Sequence, residues 1–143
     1  MKKLAVSSIL LLILVACATT KGPPPQEFGG EPDVFCSVIQ EPDPLLMGTW
    51  ESRFLRTVGK SRPDDNYVKY RLIKQEDKYA LYFYRTWRDD RKKKTEWKNW
   101  TINGKEILGE PRQFGVKIFV RGEDVYFTIR DLDKPAKMSR VAD

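Results

Sequence analysis

From Gly48 onward, apolar residues recur at every second position in short runs, each ended by Gly, Asn, Asp or Glu. A period of two puts alternate side chains on opposite faces of an extended backbone, so these runs are half-buried strands rather than helices. The first begins at Gly48, with Trp50, Ser52, Phe54 and Val58 opposite Glu51, Arg53 and Thr57, and Arg56 out of phase. The second (66–74) sets Val68, Tyr70 and Leu72 against Lys69 and Arg71. The third (78–87) is apolar on both faces: Tyr79, Leu81 and Phe83 on one, Tyr82 and Tyr84 on the other. A fourth (93–102) carries Trp100 and Ile102, and Asn103-Gly104 reads as a type I′ turn into a short fifth (105–109). Phe114, Val116, Ile118 and Val120 make the sixth. Gly122-Glu123-Asp124 turns into the seventh, with Val125, Phe127 and Ile129, and the eighth covers 136–141. Regular strands with tight turns predict an all-β antiparallel meander. Closure into an eight-stranded up-and-down barrel hides every edge; an open sandwich or half-barrel is the alternative.

The N-terminal third has a different composition. Lys2 and Lys3 precede Leu4–Ala16, a stretch broken only by Ser7 and Ser8. Thirteen residues of helix span about 20 Å, short of the roughly 30 Å hydrocarbon core, so residues 1–16 read as a signal peptide and not a membrane span. Residues 18–33 are rich in Pro and Gly, with Pro23-Pro24-Pro25 favouring polyproline II, and read as a semi-stiff tether. The folded unit is expected over 34–143. Residues 34–47 read as a transition, with one helical turn from Asp43 as N-cap and Pro44 at the first position.

Leu14-Val15-Ala16-Cys17 resembles the lipobox of bacterial lipoproteins. The resemblance implies cleavage before Cys17, a thioether-linked diacylglycerol on its sulfur and an acylated amine. Chains of that kind hold a protein to a membrane permanently. By the same resemblance, Ala18 after the lipidated Cys implies the outer membrane, lipid-anchored and facing the periplasm. Cys36 is then left without an intrachain disulfide partner; it reads as a small buried apolar residue or a reactive thiol.

Leu46-Met47-Gly48-Thr49-Trp50 is similar to the Gly-x-Trp signature that opens the first strand of lipocalins and lipocalin-like domains. The resemblance implies a barrel floor plugged by the preceding turn and sealed by Trp50. It also implies an Arg from the last strand laid over that indole; Arg140 matches by position and Arg130 competes. A lipocalin-like interior would hold a small apolar ligand against Trp50, Phe54, Tyr70, Phe83 and Phe114. A filled core is the other outcome, in which case an outer face would bind an envelope component such as a protein, cell-wall polymer or lipopolysaccharide.

Composition narrows the chemistry. The chain has no His, which excludes Ser-His-Asp and Cys-His catalysis and every His-based metal site. Two Cys cannot form a four-thiolate zinc site. Carboxylates cluster at turns (Asp64-Asp65, Glu76-Asp77, Glu123-Asp124) with no apolar setting to split a pair of pKa values. No enzyme activity, cofactor or metal is expected. The net charge of +6 includes Lys2 and Lys3. Its densest part, Arg85-Thr86-Trp87-Arg88-Asp89-Asp90-Arg91-Lys92-Lys93-Lys94, reads as a solvated hairpin tip; the alternative is a site for anionic lipid, lipopolysaccharide or cell-wall polymer, and nucleic acid is not expected as a partner of an exported lipoprotein.

Overall fold

The computed structural model describes residues 31–56, 64–87, 91–93, 99–110, 115–130 and 132–142. The signal peptide, Cys17 and the tether to residue 30 lie outside these residues, as do Thr57, Val58, Trp97 and Phe114. No described helix is long and apolar enough to cross a membrane.

The domain is all-β. Its strands are β1 (Val34–Phe35), β2 (Ser37–Gln40), β3 (Gly48–Arg56), β4 (Asp64–Gln75), β5 (Lys78–Trp87), β6 (Arg91–Lys93), β7 (Asn99–Asn103), β8 (Glu106–Glu110), β9 (Lys117–Arg121), β10 (Asp124–Thr128), β11 (Ala136–Lys137) and β12 (Ser139–Val141). One sheet runs β1-β5-β4-β3-β12, with β6 also on β5; the other runs β11-β10-β9-β8-β7-β2. The expected single closed barrel is therefore replaced by two six-stranded sheets. The reason lies in two segments that change sheets midway. Val34–Phe35 pair with β5, and Cys36 donates its N–H to the Tyr79 carbonyl at 2.9 Å, before 37–40 turn to run parallel with β7. Likewise Ala136–Lys137 pair with β10, and Met138 donates to the Val125 carbonyl at 2.8 Å, before 139–141 cross to β3. Each bend ties the sheets together while interrupting the ladder between them.

Three further expectations change. Residues 34–35 and 37–40 are strands, because their backbone is claimed by the free edges of β5 and β7 despite a weak apolar pattern. The expected fourth strand divides: β6 stays with β5, and β7 belongs to the other sheet. The β7–β8 turn is centred on Gly104-Lys105, since Asn103 pairs with Glu106, and only Gly104 takes a positive φ (59°). A type I′ turn needs positive φ at both central residues, so that assignment is corrected.

The helical turn forms where it was expected, as a 3-10 turn over Pro44–Leu46. The Asp43 carboxylate accepts the Leu45 N–H at 2.9 Å, and Pro44 supplies a preset φ where no donor is needed. Leu46 is fully buried and plugs one end of the space between the sheets.

Candidate functional site

The strand register sorts the interior into layers. Gly48, Leu72 and Leu81 lie side by side on β3, β4 and β5; next come Trp50, Tyr70 and Phe83; then Ser52, Val68 and Arg85. The layer at the plugged end is fastened by polar atoms of large side chains. Tyr70 donates its hydroxyl to the Leu46 carbonyl at 3.0 Å, and the Trp50 indole N–H reaches the Met47 carbonyl at 3.2 Å. Arg140, directly opposite Trp50 on β12, sets its guanidinium carbon 5.5 Å from the indole centroid. Gly48 has φ +90°, and a Cβ there would stand 2.9 Å from Arg140 Nη2. Glycine is required here twice over, for its backbone angle and for the approach of the guanidinium. Of the two arginines weighed for this position, Arg140 makes the contact; Arg130 is exposed and its backbone lies against Gly115.

Of the five residues expected to line a ligand site, the four that are described belong to one hydrophobic cluster or pack against it. Trp50 and Tyr70 are buried and hydrogen-bonded to the backbone of the 3-10 turn and its C-cap. Phe83 lies beside Tyr70 in the same layer and Phe54 stands further along β3, the two joined through β10: Phe54 and Phe127 have centroids 5.6 Å apart, Phe83 and Phe127 6.3 Å. Phe83 also meets Trp100 of β7 at 4.9 Å. Phe54, Phe127, Phe83 and Trp100 thus make a continuous aromatic bridge between the sheets, with Phe54 half-buried and the rest buried. Phe114 lies outside the described residues.

Beside this bridge the interior turns polar, a feature that sequence reasoning missed. Arg85 is only 5% exposed and Asn66 1%. Arg85 Nη2 donates to Asn66 Oδ1 at 3.2 Å, both on the inward faces of their strands. Ser52, also buried, donates its hydroxyl to the Lys137 carbonyl at 2.8 Å and so ties β3 to the strand that switches sheets. Arg85 was expected in the solvated basic tract. The signal that corrects this is alternation: it continues the series Tyr79, Leu81, Phe83 on the core face of β5. The remaining residues of that tract either lie outside the described residues or have no described side chain.

Elsewhere, Tyr67 on the outward face of β4 donates to Glu51 Oε2 at 2.7 Å, lies under the Arg53 guanidinium and meets Tyr84 edge-on. Burial, then the Glu51 bond and charge, raises its phenol pKa. On the other sheet, Phe119 and Tyr126 pair across β9 and β10 with Arg121 over both rings. Burial raises the Cys36 thiol to about 12, so it remains protonated at neutral pH. Cys36 packs against the core, as the apolar reading of that residue has it, and a thiol in this setting is a poor nucleophile. Among the described residues no group of His, Cys, Asp and Glu could hold a metal.

What these features define is a two-sheet, mainly antiparallel β domain with an apolar end at the 3-10 turn and a buried cation further along. The chain matches no protein-family model, curated protein or solved structure.

Proposed function

We propose that this is a lipid-anchored envelope lipoprotein with a lipocalin-like domain, which acts without catalysis as a carrier of a small, largely apolar molecule. Residues 1–16 serve as the signal peptide, Cys17 takes the lipid, and 17–33 hold the domain off the outer membrane on its periplasmic face. The observation that carries the reading is the graded interior: a sealed floor at Trp50 and Tyr70, an aromatic bridge through Phe83 and Phe127, and buried polar groups beside it. The Gly48–Trp50–Arg140 arrangement supports the lipocalin likeness.

The test has two arms. Intact mass of the protein purified from membranes should show cleavage before Cys17 and added acyl chains, and Cys17→Ser should leave the precursor uncleaved. Native mass spectrometry of the same material should show a released small apolar ligand. A form cleaved elsewhere without acyl chains removes the anchor; a protein that takes up no apolar probe removes the carrier.

A second reading, an outer-surface binder of an envelope protein or polymer, is favoured by a different observation. Phe35, Val38 and Ile39, at 45%, 42% and 71% exposure, put three large apolar side chains on one edge segment. Crosslinking in cells from positions 38 and 39 would identify such a partner, and its absence together with ligand uptake decides for the carrier.

A further inference from the structure

We infer that β2 is a self-pairing edge: two copies of this chain join through antiparallel β2 strands about a two-fold axis between Val38 and Ile39. The inference names an occupant for the exposed segment behind the second reading above. It rests on the membrane anchor of the first reading and is independent of the carrier.

β2 ends its sheet. It pairs with β7 on one side, and no described strand pairs with it on the other. All four of its residues, Ser37–Gln40, are exposed. An open edge is a template for another strand, and natural sheets guard against this with charged side chains, Lys above all. The edge strands β11 and β12 carry Lys137 and Arg140. β2 carries no charge; its sequence is Ser-Val-Ile-Gln. Its two large apolar side chains are not used by the fold. Val38 is 42% exposed and Ile39 71%, and both stand outside the hydrophobic cluster against which Val34 and Cys36 pack. The register with β7 shifts between Val38 and Gln40, so Ile39 is the residue that the ladder passes over. Phe35, exposed on β1, already has the Lys78 ammonium 5.6 Å from its ring centroid.

The edge fits itself. Antiparallel pairing about its midpoint sets Val38 opposite Ile39 of the second copy and Ser37 opposite Gln40 of the second copy, each twice, as a two-fold interface requires. Apolar then meets apolar, hydroxyl meets amide, and no like charges are opposed. This complementarity is a property of one sequence, and that selects a second copy over another protein. A four-residue edge makes a smaller contact than the roughly 1,600 Å² of a standard stable interface, so the pairing depends on a high local concentration. Anchored chains supply it. With Cys17 in the membrane and β2 close behind the tether, every copy presents this edge to its neighbours on one surface.

The experiment uses the full-length chain in cells, with a photo-crosslinking amino acid at position 38. Irradiation should give an adduct of twice the chain's mass, and peptide mapping should join position 38 to Ile39 of a second copy. Ile39→Lys, which puts an ammonium on the edge, should lower the adduct at least tenfold. Ile39→Ser, which removes the apolar contact without adding charge, takes its place if that variant does not reach the membrane. Urea midpoints of the purified variants should match the wild type, since Ile39 is exposed. A double-mass adduct that neither substitution lowers reports collision of anchored chains and overturns the inference. An adduct with a different protein overturns it and leaves the outer-surface reading standing; no adduct overturns it and leaves the carrier to ligand uptake. Intact mass tests the anchor separately: a chain without lipid on Cys17 that still gives the substitution-sensitive adduct keeps the pairing and removes the anchor.

Discussion

Gly48→Ala tests the most closely specified contact in the domain. Gly48 has φ +90°, outside the range that residues with a Cβ ordinarily occupy, and an added methyl would meet Arg140 Nη2 at 2.9 Å. The backbone strain should cost about 1–2 kcal/mol. The methyl must also push the guanidinium aside, since 2.9 Å is too close for a carbon, and Arg140 then leaves its place 5.5 Å from the Trp50 centroid. Losing that cation–π contact adds about 0.5–1 kcal/mol. Together the substitution should cost on the order of 2–3 kcal/mol. The two parts separate in a double-mutant cycle. Arg140→Ala alone should cost about 1 kcal/mol through lost packing and cation–π attraction. In its background, Gly48→Ala should cost only the backbone part, leaving a coupling of about 0.5–1 kcal/mol. Urea midpoints of the four proteins measure it. A coupling indistinguishable from zero, with Gly48→Ala still destabilising, would refute the claim that the glycine makes room for the arginine.

Three further predictions concern the same framework. Glu76 occupies the first position of the β4–β5 turn at φ 56°, where the corresponding turns have Gly104 and Gly122, so Glu76→Gly should raise stability by about 0.5–1 kcal/mol; a lower urea midpoint contradicts it. Tyr70→Phe should cost about 1–2 kcal/mol because the buried Leu46 carbonyl loses its donor. Burial also raises the Tyr70 phenol pKa against a weaker lowering by Arg140, so the folded protein keeps this proton after the unfolded chain has lost it. Stability therefore falls as pH rises above about 10, and Tyr70→Phe should make that fall shallower by up to about 1.4 kcal/mol per pH unit, read from urea midpoints at several pH values. Cys36 follows the same sign in a lower window: its thiol goes from 9.0 to about 12 on burial, so Cys36→Ala should flatten the loss of stability between those two values. Equal slopes with and without Cys36 would place the thiol in solvent.

The strands β3 to β5 and β8 to β10 were legible because each carries its own alternation and its own turn, both local in sequence, whereas 93–102, expected as one strand, divides between β6 and β7. Trp50, Tyr70 and Phe83 fall on one inward layer as the period requires. The division into two sheets was not legible, because it depends on segments too short to carry a pattern. Val34–Phe35 and Ala136–Lys137 are two-residue strands, and what assigns them to a sheet is the pairing offered by β5 and β10. A meander read from one chain gives neighbours in order; it cannot show that a terminal segment will change sheets at Cys36 or Met138. The parallel pairing of β2 with β7 joins residues far apart in sequence and leaves no local trace either.

The candidate site was misread for a physical reason that the register makes plain. Arg85 opens a run of cations, and composition averages over such a run assign all of it to solvent. The backbone does not average: on an extended strand each residue takes the face its parity dictates, and Arg85 has the parity of Phe83. Thr86, paired with Tyr67, has the opposite parity. A single register therefore delivers Tyr82 and Tyr84 to one face of the sheet and Phe83 with a guanidinium to the other. Shifting Arg85 outward would require a one-residue slip that also turns Leu81 and Phe83 out of the core. Burial of those two side chains, each worth about 1.5–3 kcal/mol, opposes such a slip. The cation is held inside by its neighbours, and Asn66 is one of the groups that meet it there.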